Sequence, residues 1–359
     1  MKLKEKIRFN LLSNRFVGKF FIKLNLNKLL HYSFRYEGYI GDVINKCLDK
    51  YLSEKDRENS KLRLALTVDI VYCYYRYRAH PNEYFLFGFR NLKHARRAQF
   101  LTQRYKDYVM INRVGLGDKR MFLEDKWRFY NHFKSYFKRD VVRVACEEDF
   151  EAFMNFTQTH REFIVKPMKG QCGKGIHIIY ISESDSVETI FKNLLSSGEY
   201  IIEELIKQSP EVAVWNDSSV NTLRLPAFYN KTGFHILKPF LRMGRTGSIV
   251  DNAATGGVFS VVDEKSGILT TDGYNEYGSM FITHPDSNKI IKGWQIPEWN
   301  ELLKIAEEIH SMVPDQPYIG WDFAYSVKGW VLVEGNWGQF MSEFADKEGI
   351  KNKFDNLFD

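Results

Sequence analysis

Cysteine is scarce in this sequence, with four residues among 359. Cys47, Cys73, Cys146 and Cys172 form no C-x-x-C pair, and no histidines stand at zinc-ligand spacing. A disulfide scaffold and a structural zinc module are therefore not expected, and the four read as free thiols of a reducing compartment. Long apolar runs are also missing: none approaches the ~20 residues a membrane helix needs. The N-terminus is basic, but Asn and Lys interrupt its apolar residues, so no signal peptide is expected there. Internal repeats and low-complexity tracts are absent. These absences lead to the expectation of a cytoplasmic globular protein.

What is present fits that class. The chain is 44% hydrophobic and 27% charged, and its length allows two or three domains. Aromatic residues make up 15%, which suits either a large core or ring-stacking sites. The net charge of +6 is unevenly spread. Residues 1–50 carry 11 Lys/Arg against 4 Asp/Glu, and residues 90–143 carry 15 against 5. Residues 144–359 are net acidic. A basic front suits anionic sugars, nucleotides, a membrane surface or nucleic acid, and an acidic back suits metal ions. Residues 1–30 mix Phe, Leu and Ile with Lys and Arg. They read either as a basic amphipathic helix lying on an anionic membrane or as a helix packed on its own domain.

Apolar residues recur at helical spacing over 55–79, 84–109 and 123–137. From Val141 the texture turns to strands: 162–167, 176–181, 199–206, 220–228, 235–243, 257–262, 318–324 and 330–336. Helices are expected over 186–195 and 297–312, the second with Pro297 in its first turn. The expected organisation is a helical, basic region over 1–114, smaller lobes over 115–205 and a larger lobe over 206–359. The fold class is thus α/β, built of α+β lobes behind a helical N-terminal region.

Two segments carry chemistry. The first runs from Val165 to Ile176 between two predicted strands. Gly170, Gly173 and Gly175 allow backbone conformations closed to other residues and let amide N–H groups approach an anion. Lys166, Lys169 and Lys174 add positive charge, so the loop suits a polyphosphate. It is not a P-loop or a dinucleotide fingerprint, because it opens a strand rather than a helix. A flexible hairpin with solvated lysines is the plainer alternative.

The second segment is Gly320-Trp-Asp-Phe-Ala324 followed by Val331-Leu-Val-Glu-Gly-Asn336. A three-residue loop, Val327-Lys328-Gly329, would set Ser326 opposite Trp330 and Asp322 opposite Glu334. Asn336 lies two residues beyond Glu334 on the same face. Facing carboxylates repel unless a cation lies between them, and hard oxygen ligands suit Mg²⁺ bound with a nucleotide. The other face, with Ile319, Trp321, Phe323, Val331 and Val333, is expected in the core. An exposed polar hairpin is the alternative, and a one-residue slip would dismantle the constellation.

The order Lys126, Val165-Lys-Pro with its glycine loop, Ile201-Ile-Glu-Glu204, then Asp322 and Glu334-Gly-Asn336 resembles the ATP-grasp superfamily. One branch resembles it more closely. Ser218-Ser-Val-Asn-Thr-Leu-Arg224, Leu241-Arg-Met-Gly-Arg245, Val250-Asp-Asn-Ala-Ala-Thr-Gly-Gly257 and the two hairpin strands are similar to the sugar-transfer-associated ATP-grasp proteins, which are linked to surface-polysaccharide biosynthesis. The resemblance covers roughly residues 115–345.

The resemblance implies an ATP-grasp fold and an ATP- and Mg²⁺-dependent carboxylate–amine ligase. Lys126 and Lys166 would contact the phosphates or adenine, and the backbone of Gly170, Gly173, Lys174 and Gly175 would close over the phosphates. Glu203, Glu204, Leu205 and Ile206 would form the strand beside adenine, with Glu204 or Glu211 holding the ribose. Asp322, Glu334 and Asn336 would hold one or two Mg²⁺ ions. Arg224 would lie near the transferred phosphate, and Arg242 or Arg245 near the carboxylate substrate. Asp251 and Asn252 either form a turn or bind substrate or metal. Gly338-Gln-Phe340 would line the acceptor pocket. The implied partners are a sugar-acid carboxylate and a small amine; peripheral membrane contact rests on the first of the two readings of the basic N-terminus alone. A kinase on the same fold, a non-catalytic nucleotide-binding protein and a nucleic-acid-binding module stay open as rivals. No recognition motif supports the last of these.

Overall fold

A computed structural model describes residues 14–34, 38–112, 121–169, 175–251, 256–337 and 343–358. The chain divides into two compact units, residues 1–114 with 346–359, and residues 115–345.

The first unit is helical. Its described part opens with α1 (Arg15–Leu24), where the Asn14 side chain accepts from the Phe16 and Val17 amides. Helix α2 (Ile40–Tyr51) buries Ile40, Val43, Ile44, Cys47 and Leu48, one face of a 3.6-residue repeat. Helix α3 (Ser60–Arg76) starts only after Asn59, which caps it, so the expected helix over 55–79 is interrupted. The expected helix over 84–109 is broken into pieces. Helix α4 (Pro81–Leu86) carries a capping box from His80 and Glu83. Gly88, at φ 67°, then reverses the chain, and α5 (Gln103–Asn112) resumes it. The aromatic side chains here fill a core: Tyr84, Phe87, Phe89 and Phe100 are buried and meet edge-on, tilted or stacked.

The basic stretch 90–143 is in part internal. Arg97 is buried and makes a two-toothed pair with Asp69 at 3.1 and 2.9 Å. Lys19 of α1 reaches the same carboxylate at 2.5 Å. Lys106 is buried, and Arg104 lies over the ring of Tyr74. Charge that reads as a binding surface in the sequence thus partly serves as packing and ion pairing.

The second unit begins its described part with a four-residue helical segment (Met121–Glu124) and then α6 (Lys126–Phe137), capped by Asp125. A four-stranded antiparallel sheet follows. Its strands are β1 (Val141–Val144), β2 (Glu162–Pro167), β3 (His177–Tyr180) and β4 (Tyr200–Glu204), in the order β1-β4-β2-β3. Helices α7 (Phe150–Thr159) and α8 (Val187–Ser197) supply Phe153, Phe156 and Phe191 to a core with Phe163, Val165 and Ile202 of the sheet. Ser186 caps α8.

The larger sheet has eight described strands. They are β5 (Thr222–Asn230), β6 (Gly233–Ile236), β7 (Phe240–Met243), β8 (Val258–Val261), β9 (Gly273–Tyr274), β10 (Met280–Phe281), β11 (Tyr318–Ser326) and β12 (Gly329–Asn336). Their order is β10-β9-β8-β7-β5-β11-β12, with β6 also on β5. Every strand pairing among the described residues is antiparallel. The strand expected over 235–243 is split into β6 and β7, because Lys238 sits at φ 51° and Pro239 offers no amide to the ladder. Helix α9 (Trp299–Ser311) starts after Glu298 at φ 47°, so Pro297 precedes the helix instead of standing in its first turn. Leu302, Ala306 and Ile309 of α9 share a core with Trp321, Phe323 and Leu332 of the sheet and with Phe129, Phe133 and Phe137 of α6. Cys47, Cys73 and Cys146 are free thiols, and Cys172 lies outside the described residues. No helix among the described residues is long and apolar enough to cross a membrane.

Candidate active site

Four adjacent strands, β7, β5, β11 and β12, carry one polar row across the larger sheet. Thr222 and Arg224 alternate on β5 and therefore project from the same face. Arg242 lies opposite Thr222, Asp322 opposite Arg224, and Glu334 opposite Asp322. Arg242, Thr222, Arg224, Asp322 and Glu334 are thus brought together by register alone.

The opposition of Asp322 and Glu334 arises differently from the expectation. The turn of the hairpin has two residues, Val327 and Lys328, with Ser326 paired to Gly329 and Tyr325 to Trp330. Continued without interruption, that register would set Asp322 opposite Val333. A bulge between the Asp322 and Phe323 pairs absorbs one extra residue and restores Glu334 as the partner of Asp322. The two-residue turn sets Leu332 opposite Phe323, so Trp330 and Leu332 join the core of Trp321 and Phe323, while Val331 is buried outside that cluster and Val333 is half-buried. Gly335, between the two polar residues, has Phe129 of α6 beneath it, and a Cβ there would come within 2.8 Å of that ring.

The charges along the row are unequally answered. Asp322 is fully buried, and Arg224 grips both its oxygens, the second at 2.9 Å. Arg242 reaches Asp322 at 2.9 Å as well. Burial works against ionisation of Asp322, but the two guanidiniums outweigh it and hold its carboxyl below the ordinary range. Glu334 is half-buried and is answered by an amide: the Asn336 side chain donates to Asp322 and to Glu334, at 3.0 Å each. Burial first, and the Asp322 charge second, push the Glu334 carboxyl above its ordinary value. Arg242 also donates to Thr222 Oγ1 at 2.6 and 2.9 Å, and the Thr222 amide and hydroxyl donate to Asp251. Burial raises the Asp251 carboxyl, with Arg242 and Thr222 pulling the other way.

Two carboxylates, one under-compensated, with an amide between them fit a hard divalent cation. The Asn336 amide bridges both through its NH₂, and its oxygen would join the ligand set if the amide turned over.

The smaller sheet presents the second group. Glu203 on β4 is buried between Arg139, at 2.6 and 2.9 Å, and Lys166 on β2, at 2.8 Å. Burial opposes its ionisation, yet Arg139 and Lys166 hold its carboxyl at about 2. Arg139 also donates to the Leu332 carbonyl at 2.7 Å, which ties this pair to β12 beside the bulge. Lys126, at the start of α6, has its ammonium lowered by burial first. Glu334 and Glu203 counter that, and Lys166 reinforces it. The carboxylate row and the two lysines therefore share one electrostatic neighbourhood.

At the end of β4, Glu204 accepts from the Asp140 amide at 3.0 Å and pairs with Lys328 at 3.2 Å. Leu205 and Ile206 are half-buried, and the segment runs beside the hairpin turn, where the Val327 amide donates to the Lys207 carbonyl at 3.0 Å. Glu211 lines a shallow cleft with Trp294, Gln295, Pro297 and Glu298. Arg245 stands apart from the row, paired with Asp286 at 2.8 Å. Gly175 sits at φ 77° against Pro167. Gly170, Gly173, Lys174, Asn252 and Gly338-Gln339-Phe340 lie outside the described residues.

Sequence reasoning missed Thr222 and Arg139. Thr222 stands two residues before Arg224, a strand-face spacing that was available to find it. Arg139 follows Lys138, which ends α6 at φ 49°, and only the folded chain brings it to Glu203.

Residues 121–358 match the family described as sugar-transfer associated ATP-grasp. No curated protein matches the sequence. Among solved structures, the chain is similar to D-alanyl-alanine synthetase A of Vibrio cholerae O1 biovar eltor at 10% identity and a TM-score of 0.38, over 66% of this chain and 61% of that one. It is similar to the VanG D-Ala:D-Ser ligase of Enterococcus faecalis at 13% identity and 0.40, over 66% and 62%. It is also similar to the D-alanine–D-alanine ligase of Helicobacter pylori at 14% and 0.37, over 66% and 60%. The chain thus spans less than two thirds of the length of each of these three proteins. With more than half of its own length matched, the chain belongs to the sugar-transfer-associated ATP-grasp family.

Proposed function

We propose that the protein is an ATP- and Mg²⁺-dependent ligase that joins a carboxylate to an amine, with a sugar acid as the carboxylate. The observation that carries the reading is the unequal charge balance of the row Arg242–Thr222–Arg224–Asp322–Glu334. The family is one of the ATP-grasp fold, and its association with sugar transfer supports a sugar acid as the substrate.

A carboxylate is a poor electrophile. Transfer of the γ-phosphoryl group to one of its oxygens releases ADP and leaves an acyl phosphate. The amine then attacks the carbonyl carbon, the C–O bond to phosphate breaks, and inorganic phosphate departs with the electron pair. A divalent cation bound with ATP neutralises phosphate charge during transfer. Asp322, Glu334 and Asn336 would hold that cation. Lys126, Lys166 and the backbone of Gly170 to Gly175 would hold the phosphates. Main-chain groups of Glu203 to Ile206 would read the adenine, and Glu204 or Glu211 would take the ribose. Arg224 would offset charge on the moving phosphoryl group. Arg242 is better placed than Arg245 for the acceptor carboxylate, because it lies in the row while Arg245 is tied to Asp286. The basic N-terminal segment would bring the enzyme to a membrane surface.

The test is turnover of Mg·ATP with hydroxylamine as surrogate amine and a panel of sugar acids. A hydroxamate that forms with one acid, together with ADP and phosphate, supports the reading. ADP release with a stable phosphorylated product and no hydroxamate would replace it with a kinase.

A further inference from the structure

Helix α1 has two apolar faces. One buries Gly18 and Ile22 against its own unit, and Lys19 fixes it there through Asp69 at 2.5 Å. The other carries Phe16, Val17, Phe20, Phe21 and Leu24, which are 86, 47, 66, 40 and 70% exposed. At 3.6 residues per turn these five occupy an arc of about 140° on the side away from the anchored face. Single exposed apolar residues are ordinary, whereas a contiguous stripe of five marks an interaction surface.

Charge identifies the partner. Residues 6–36 contain seven Lys/Arg and no Asp/Glu. Lys19 is engaged with Asp69, while Arg15, Lys23 and Lys28 are exposed. Lys23 flanks the Phe16 edge of the stripe at helical spacing. A second copy seated on this face would set these cations against their own kind. A phospholipid surface offers an apolar boundary and a layer of phosphates together.

We propose that the outer face of α1 docks on an anionic phospholipid bilayer, with Phe16, Phe20 and Leu24 at the acyl boundary and Lys23 and Lys28 at the phosphates. This assigns residues to the membrane contact proposed above and is independent of the catalytic chemistry, so either can fail alone.

The full chain would be sedimented with phosphatidylcholine vesicles and with vesicles containing phosphatidylglycerol, at low and high salt. Binding to the phosphatidylglycerol vesicles alone, weakened by salt, is expected. The double variant Phe16→Ser/Phe20→Ser should bind about tenfold or more weakly. Its circular dichroism and ATP turnover should match the parent, since both rings point outward. No binding to anionic vesicles would overturn the proposal, as would undiminished binding by the variant. A solution dimer that the same variant dissolves, without vesicle binding, would assign the face to a second copy instead.

Discussion

Two glutamates, Glu203 on the smaller sheet and Glu334 on the larger, both stand on strands beside cationic side chains, yet burial has opposite outcomes for them. Glu203 lies between Arg139 and Lys166, and its carboxyl falls to about 2. Glu334 faces another carboxylate and is bonded to an amide, and its carboxyl rises. The first is a completed pair that fastens β4, β2 and the end of α6 to β12. The second is a charge left incompletely answered by the protein. A site built for a cation that comes and goes with a nucleotide needs that second kind of balance.

The comparison can be broken at either end. The largest effect is expected from Glu203→Gln, which leaves Arg139 and Lys166 buried without their carboxylate. It should lower stability by about 3–5 kcal/mol in denaturant unfolding. A near-neutral result would mean that Glu203 is not a completed pair. The sign with pH follows: its lowered carboxyl stabilises the fold above the unfolded value of ~4.3, and that contribution is lost as pH falls toward 2. Next in size, Glu334→Gln should lower turnover by roughly 10²–10³, or about 2.7–4 kcal/mol in barrier, with the fold retained. Near-normal steady-state rates would remove Glu334 from the metal site. It is a cleaner test than Asp322→Asn, which also strips Arg224 and Arg242 of their counter-charge.

Gly335→Ala should cost about 1–3 kcal/mol, because the added methyl meets Phe129 and Leu123. Thermal melting would measure this, and an unchanged melting temperature would show that α6 gives way freely. The smallest effect sharpens the comparison most. Glu334 has a raised carboxyl, so its ionisation in the folded state opposes folding above the unfolded value of ~4.3. In the absence of nucleotide and metal, Glu334→Gln should therefore be more stable than the parent at neutral pH by roughly 0.2–1 kcal/mol, and the gain should vanish in acid. A loss of stability at neutral pH would contradict the charge assignment.

The sequence made the strand halves of the site legible because alternation is local. Asp322, Glu334 and Asn336 share a face by counting, as do Thr222 and Arg224. The hairpin was read correctly at Asp322 and Glu334 through two departures that cancel: the turn is one residue shorter than expected, and a bulge supplies the missing residue. Neither the two-residue turn nor the bulge leaves a local signal, so the placing of Trp330 and Leu332 with Trp321 and Phe323 was not legible, although Val331 is buried as expected. Arg139 and Glu203 are 64 residues apart and meet only because β1 and β4 pair. In the helical unit, apolar periodicity runs straight through Gly88, and only its left-handed backbone in the fold shows that the helix ends there.

The central claim is that the row on β11 and β12 takes a divalent cation through Glu334. Its most direct test is a Mn²⁺ titration followed by electron paramagnetic resonance, with a non-hydrolysable ATP analogue present, on the parent and on Glu334→Gln. The account predicts bound Mn²⁺ in the parent and an affinity at least about tenfold weaker in the variant. Equal affinity in the two proteins would contradict it.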